Sequence, residues 1–320
     1  MEIKDKYGRT FKTLRVSLTN TCNLGCIYCT HSSGQKLPLT NTQKILTSSE
    51  ITFLIKEIHA LTKIDTLRLT GGEPTLYKDL VKIIKEIRAI GIENIKMTSN
   101  GYLLKEMLPE LFKAGLKSIN ISLDTLDAEN FTKISGRKNL EKIVDTIDEA
   151  LKFGIDVKIN TVMLKGINEA QLIPLLNFAK KRSLPIRFLE LMKMGPLHEA
   201  KEFHKHFFSE KEVLTKIEKQ YNLTSLPRDY SATANYWITD DGYKFGIIAN
   251  ETSPFCHDCN RLRLDSYGNI YGCLSNDNAL SIADSLTNEG NLKEKLEEAL
   301  LQKQELKFKG SSISMMAIGG

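Results

Sequence analysis

The sequence predicts an α/β fold: six strand–helix units curled into an open barrel over residues 1–194, then a smaller α+β subdomain over residues 195–320. Three observations predict it. Short β-rich runs alternate with amphipathic helical runs through the first two-thirds of the chain. Polar residues recur at every second position of those strands. The six cysteines fall into two groups of three, one early and one late.

Strands are expected at 14–18, 66–70, 94–98, 118–123, 156–162 and 185–191, with helices at 48–61, 79–90, 103–114, 140–153 and 169–182. Gly91, Gly115 and Gly154 follow three of these helices, as C-terminal stop signals do. Strand–helix alternation implies a parallel sheet or barrel. Six units make a partial (β/α)6 version of the eight-unit TIM barrel.

The period-two pattern says what the barrel encloses. Arg15, Ser17 and Thr19 oppose Val16 and Leu18; Arg68 and Thr70 oppose Leu67 and Leu69; Lys96 and Thr98 oppose Ile95 and Met97. Asn120, Ser122 and Asp124 oppose Ile119, Ile121 and Leu123, and Lys158 and Asn160 oppose Val157 and Ile159. The apolar face belongs against the helices, which turns the polar face into the lumen. A closed barrel fills its interior with branched apolar side chains, so a polar interior predicts an open barrel with a ligand inside. The plain alternative is a half-buried sheet with one solvated face. The sixth strand fits the alternation poorly.

Beyond Met194 the alternation stops. Residues 195–209, rich in His and Lys, read as a linker or lid, and 210–220 as a short helix. Runs at 235–239 and 244–248 flank Asp240-Asp241-Gly242, a hairpin signal. A second hairpin is expected from 261–265 and 270–274, a helix at 292–301, and the sequence closes on Gly319-Gly320.

No run of about 18 apolar residues is present, so no transmembrane helix is expected. The polar N-terminus lacks a signal region, and the expected compartment is the cytosol. A net charge of +5 is too small for a charge-driven nucleic-acid binder and suits a site for a polyanionic small molecule.

In a cytosolic chain, clustered cysteines argue for metal rather than disulfides. Cys22, Cys26 and Cys29, spaced CxxxCxxC after the first strand, can bind three irons of a [4Fe–4S] cube and leave the fourth open. The alternative is structural zinc with His31 as a fourth ligand. Gly71-Gly72-Glu73-Pro74 follows the second strand, where glycines admit close backbone approach. Glu73 has a second reading as the cap of the next helix. Cys256, Cys259 and Cys273 form the later trio, again with zinc, through His257, as the alternative. Arg261 and Arg263 beside it suggest anion binding, or charge compensation for the thiolates.

The CxxxCxxC and Gly-Gly-Glu-Pro motifs, in this order on successive strand ends, resemble the radical S-adenosylmethionine superfamily. Within it, Cys256-x2-Cys259-x13-Cys273, the run Asn260-Arg261-Leu262-Arg263-Leu264 and the closing Gly319-Gly320 are similar to the GTP 3′,8-cyclase family of molybdenum-cofactor biosynthesis (the molybdenum cofactor biosynthesis protein A family). The resemblance implies a lyase with two [4Fe–4S] clusters, one on each cysteine trio, and S-adenosylmethionine. It places S-adenosylmethionine against Tyr28, Gly72, Glu73, Ser99, Ser122 and Met192, and GTP against Arg15, Arg68, Lys158, Arg187, Arg261 and Arg263. Catalytic roles are implied for Arg261, Arg263, Gly319 and Gly320.

The implied reaction removes the ribose 3′ hydrogen of GTP through a 5′-deoxyadenosyl radical and joins C3′ to guanine C8, giving 3′,8-cyclo-7,8-dihydro-GTP. Implied partners are a downstream cyclic pyranopterin monophosphate synthase, a reductant protein such as flavodoxin or ferredoxin, and a second copy in a homodimer; neither nucleic acid nor membrane is expected. The family pattern is broken at Asn20-Thr21, Thr30-His31, Thr66 and Tyr77. The last two stand where cations are usual, and Lys78 is a candidate to compensate. Rival readings are a peptide-modifying radical enzyme with an auxiliary cluster and a non-enzymatic metal-binding scaffold.

Overall fold

The computed structural model describes residues 3–29, 44–198, 201–287 and 290–319. Six parallel strands carry the first two-thirds: β1 (Thr13–Ser17), β2 (Thr66–Thr70), β3 (Asn94–Ser99), β4 (Ser118–Ser122), β5 (Asp156–Val162) and β6 (Ile186–Leu189). The helices are α1 (Ser48–Thr62), α2 (Leu80–Ala89), α3 (Leu108–Ala114), α4 (Ala128–Ser135), α5 (Glu141–Lys152) and α6 (Leu172–Lys181), then α7 (Lys201–His206), α8 (Glu210–Ile217), α9 (Leu292–Leu301) and α10 (Met315–Ile318). The later strands are β7 (Leu223–Leu226), β8 (Asn235–Thr239), β9 (Lys244–Ile248), β10 (Arg261–Leu264), β11 (Asn269–Tyr271) and β12 (Leu280–Ser281).

Local chemistry sets the helices. Thr47 and Glu50 form a reciprocal capping box at the start of α1, and Lys63 ends that helix in a left-handed conformation. In α5, Ile143, Thr146, Ile147 and Ala150 recur at helical spacing and form its buried face. The apolar strand positions (Leu14, Val16, Leu67, Leu69, Ile95, Met97, Ile119, Ile121, Ile159) are fully buried and join these helix faces in one core.

The sheet runs β12-β11-β10-β1-β2-β3-β4-β5-β6-β9-β8-β7. β10 joins β1 in parallel and β9 joins β6 in parallel, so eight parallel strands line the barrel wall. The late hairpins therefore extend both edges of the early sheet. The barrel stays open because β7 and β12 do not pair with one another. The expected linker at 195–209 contains the short helix α7, in which Phe203 is buried against Leu164, Leu191 and Leu197. Among the described residues no helix is long and apolar enough to cross a membrane.

Parallel pairing of β1 with β10 fixes where the cysteines lie. Cys22, Cys26 and Cys29 follow the C-terminal end of β1. Cys256 and Cys259 precede the N-terminal end of β10, and Cys273 follows antiparallel β11 back to that same end. The two trios thus occupy opposite ends of one barrel wall, separated by roughly 17 Å for five strand residues at about 3.3 Å each.

Candidate active site

The loop carrying the first trio is clamped from several sides. The amide of Gly72 donates to Thr19 O at 2.7 Å and that of Glu73 to Thr21 O at 2.8 Å. Gly25 N reaches Ser135 O at the end of α4 (2.8 Å), Arg137 Nε reaches Asn23 O (2.9 Å), and Ser314 Oγ reaches Cys29 O (2.9 Å). A Cβ on Gly71 would lie 2.5 Å from Thr19 O, and one on Gly72 2.5 Å from the Thr21 carbonyl carbon. The two glycines thus let the end of β2 lie flat on the cysteine loop.

Glu73 is buried and fully engaged. Its carboxylate accepts from Ser99 Oγ (2.7 Å), Asn100 N (2.8 Å), Thr75 Oγ1 (2.7 Å) and Thr75 N (3.1 Å). It caps the turn after β2 and ties β2 to β3, and burial raises its pKa against those four donors. Asp124, after β4, accepts from Tyr28 OH (2.7 Å) and Val162 N (2.8 Å), and burial lifts its carboxyl to about 6 despite both donors.

These groups line an open cleft of about 1350 Å³, counting space continuous with solvent, whose walls include Cys22, Cys26, Cys29, Gly72, Ser122 and Met192. Met192 is fixed by Asn250 Nδ2, 2.9 Å from its sulfur. Met315 and Met316 of α10 form part of the wall, so the C-terminal segment enters the cleft. Burial pushes all three thiols up, Cys29 to about 11, and Asp124, then Cys29 and Cys22, raise Cys26 further. Three thiols on one short loop can each bind one iron of a [4Fe–4S] cube. His31 and Thr30 lie outside the described residues.

The second trio has the same character with cations added. Burial, Cys273 and Cys259 push Cys256 up to about 11. Burial also raises Cys259, but Lys303 and Arg261 outweigh it and hold that thiol at about 6. Arg261 Nη1 lies 3.5 Å from Cys259 Sγ, and its other nitrogen donates to Ser231 O. His257 is largely exposed, with Nε2 3.2 Å from Arg228 Nη2 and 3.9 Å from Asp258 Oδ2.

Between the trios runs a row of cations. Register aligns Arg263 with Arg15, Arg15 with Arg68, and Arg68 with Lys96, across four adjacent strands. Lys158 and Arg187 continue the polar face on β5 and β6, with Arg187 Nε bonded to Asn160 Oδ1 at 3.0 Å. Among the described residues none of these six forms an ion pair with a carboxylate within 4.0 Å. Among the described residues, buried Arg15 Nε and Arg187 Nη2 have no hydrogen-bond acceptor. Burial, then Arg263 and Arg68, depress Arg15 well below its ordinary value; burial, then Arg187, holds Arg68 near 10; burial holds Arg263 near 10. Arginine does not deprotonate in proteins, so the depression is a cost of gathering like charges, one that an anion would offset.

Arg263 also holds the tail. Its Nη1 donates to Ile318 O (3.2 Å) and to Gly319 O. Ile318 is fully buried with Met194, Tyr271 and Phe308, and a side chain on Gly319 (φ 78°) would collide with Thr70. Gly320 lies outside the described residues. Of the departures from the family pattern, Thr66 accepts from Asn94 Nδ2 and Tyr77 packs on the core. Lys78 is exposed and does not line the cleft. Sequence reasoning missed α4, β7, β12 and the contributions of Asn100, Asn250, Lys303 and the two tail methionines. Only the Asn100 position, next to Ser99 at a strand end, carried a local signal.

Comparison with known proteins agrees with this geometry. Residues 16–179 match the radical SAM superfamily model, and residues 184–310 match the molybdenum cofactor synthesis C model. A GTP 3′,8-cyclase of Aquifex aeolicus is 36% identical, the match covering 99% of each chain. One from Staphylococcus haemolyticus is 39% identical over 85% of this chain and 81% of its own. Among solved structures, Streptococcus suis SuiB bound to precursor peptide SuiA superposes with a TM-score of 0.64 at 15% identity, covering 92% of this chain and 71% of that one. The AdoMet-bound anSMEcpe also scores 0.64, at 16% identity over 92% and 81%. At such identities these two share the fold alone. With the curated likeness running the length of the chain and both family models placed end to end along it, the chain belongs to the GTP 3′,8-cyclase family of the radical SAM superfamily.

Proposed function

We propose that the chain converts GTP to 3′,8-cyclo-7,8-dihydro-GTP, the first step of molybdenum-cofactor biosynthesis. The observation that carries this is the unpaired cation row, enclosed in one lumen with a thiol trio at each end. A triphosphate supplies the anion that the row lacks.

Cys22, Cys26 and Cys29 hold a [4Fe–4S] cluster, and Cys256, Cys259 and Cys273 hold a second. With S-adenosylmethionine, the first supplies hydrogen-atom abstraction from unactivated carbon. The chain's residues bind and orient. The strand end at Gly72 and Glu73, with Tyr28, Ser99, Ser122 and Met192, receives S-adenosylmethionine. In that division Ser99 and Glu73 act through each other, because their side chains are hydrogen-bonded together. Arg15, Arg68, Lys158 and Arg187 take the triphosphate; Arg261 and Arg263 hold the substrate end nearest the second trio. Gly319 and Gly320 bring the tail into the cleft without side-chain bulk. Residues 1–194 carry the first trio and 195–320 the second, while the tail from Ser314 reaches back to the first. The setting is cytoplasmic, with a flavodoxin- or ferredoxin-type reductant, a synthase that consumes the product, and a homodimeric assembly.

Anaerobic reconstitution followed by iron and sulfide counting tests the reading. About eight irons per chain are expected, falling to about four in Cys256→Ser. With reductant and S-adenosylmethionine present, GTP should be consumed in preference to ATP, CTP and UTP, with 5′-deoxyadenosine formed. Formation of 5′-deoxyadenosine with GTP left intact would overturn the substrate assignment.

A further inference from the structure

Lys303 lies just past the end of α9, 30 residues beyond the last cysteine of the second trio, and is 4% exposed. Its ammonium donates to Arg261 O at 2.8 Å and lies 3.4 Å from Cys259 Sγ. The ring of Phe11 covers it, 5.2 Å from centroid to nitrogen. Among the described residues no carboxylate lies within ion-pair distance of it. A buried lysine ordinarily carries a carboxylate partner. The nearest anion this one can meet is the Cys259 thiolate.

The opposite side of the same loop is closed by Arg9, 4% exposed, which donates to Cys256 O and to Gln304 O (3.2 Å) and pairs with Asp5. Arg9 thus has a carboxylate of its own and meets the loop through carbonyls. Lys303 meets it through sulfur. The contact joins residues 44 apart in sequence.

We infer that Lys303 is a positioning residue of the second metal centre, holding the Cys259 thiolate through an N–H···S contact and raising the reduction potential of the cluster bound there. This rests on the second trio holding a cluster. An added electron increases the negative charge of the cluster and its thiolates, and a fixed ammonium at one of those sulfurs favours the reduced form. Hydrogen bonds to cluster sulfurs, net charge and solvent exposure are the levers by which a protein sets such potentials. Lys303 supplies the first two, and Phe11 limits the third.

The test is a potentiometric titration of the reconstituted holoenzyme, monitored by electron paramagnetic resonance, for the wild type, Lys303→Met and Lys303→Arg. A Cys22→Ser/Cys26→Ser/Cys29→Ser chain assigns which one-electron step belongs to the second centre. Lys303→Met keeps the bulk and removes the charge. It should shift that step alone to lower potential, by at least tenfold in the reduced-to-oxidised ratio, about 59 mV for one electron. Lys303→Arg should restore most of the shift. An unchanged step in Lys303→Met, or equal shifts in both variants, overturns the inference. If Lys303→Met loads no second cluster, Lys303→Arg decides: loading with a near-native potential supports the charge role, and failure to load overturns it in favour of packing. A triple-serine chain that binds no iron would overturn the second-cluster reading itself, an outcome distinct from a loaded but unshifted centre.

Discussion

Replacing Gly72 with alanine adds one carbon where the end of β2 lies against the cysteine loop. That carbon would stand 2.5 Å from the Thr21 carbonyl carbon and 3.1 Å from Cys22 N. The loop must retreat by about 1 Å to reach ordinary contact near 3.5 Å. Both neighbours are backbone, so no side-chain rotation relieves the clash. The retreat stretches the bonds from Gly72 N to Thr19 O and from Glu73 N to Thr21 O. Overpacking costs about 1–3 kcal/mol, and two hydrogen bonds at roughly 0.5–1.5 kcal/mol each bring the total to about 2–6 kcal/mol. At roughly 2 °C per kcal/mol for a chain of this size, the metal-free protein should melt about 4–12 °C lower. Because Cys22 moves with the loop, reconstituted iron should fall from about eight toward about four per chain, with the second centre intact. The assay is a thermal melt paired with iron and sulfide analysis. Native melting and full iron loading in Gly72→Ala would refute the argument that these glycines exist to seat the cysteine loop.

Arg15→Met should separate stability from function. Removing one member of a buried row of like charges is expected to stabilise the metal-free chain by about 1–4 kcal/mol, while the KM for GTP rises at least tenfold; a destabilised variant with unchanged KM contradicts the anion-site reading. Arg263→Met removes the donor to Ile318 O and Gly319 O. At about 1.5–3 kcal/mol for such charged hydrogen bonds, kcat/KM should drop roughly ten- to hundredfold, and hydrogen exchange at Gly319 should speed up. Asp124 gives a pH signature in the metal-free protein. Its folded pKa, raised by burial from 3.8 to about 6, favours the neutral acid, so its contribution is fully present below pH 3.8 and is lost as the pH rises through 6. Asp124→Asn should therefore gain about 3 kcal/mol on the wild type between pH 3 and pH 7, at 1.36 kcal/mol per pKa unit; parallel stability curves for the two would count against a buried, strained carboxylate.

The parts that were legible in the sequence are those governed by local periodicity. β2 and β5, both strands of the β8–β9 hairpin and α9 occupy the expected residues because alternation, turn chemistry and helical spacing are properties of neighbouring positions. The polar lumen was legible for the same reason, since facing is fixed by counting along a strand. Features that depend on distant partners were not. Nothing near Arg261 announces that β10 pairs with β1, and nothing near Lys244 announces that β9 pairs with β6, so the late hairpins read as a separate unit. Nothing local to the tail shows that Ile318 packs in the pocket formed by Met194, Tyr271 and Phe308. Glu73 illustrates the middle case. Its capping role follows from the sequence, whereas its bonds to Ser99 and Asn100 require β3 to lie beside β2.

The pairing of β1 with β10 has a consequence for biogenesis. The first strand of the barrel waits for a neighbour that lies more than 240 residues later, so its outer rim stays unzipped for most of translation. A contact spanning that much chain is closed slowly, and an exposed strand rim invites pairing with other chains in the meantime. The cation row gains its Arg263 end only when β10 arrives. Assembly thus ends, rather than begins, with the ligand cavity.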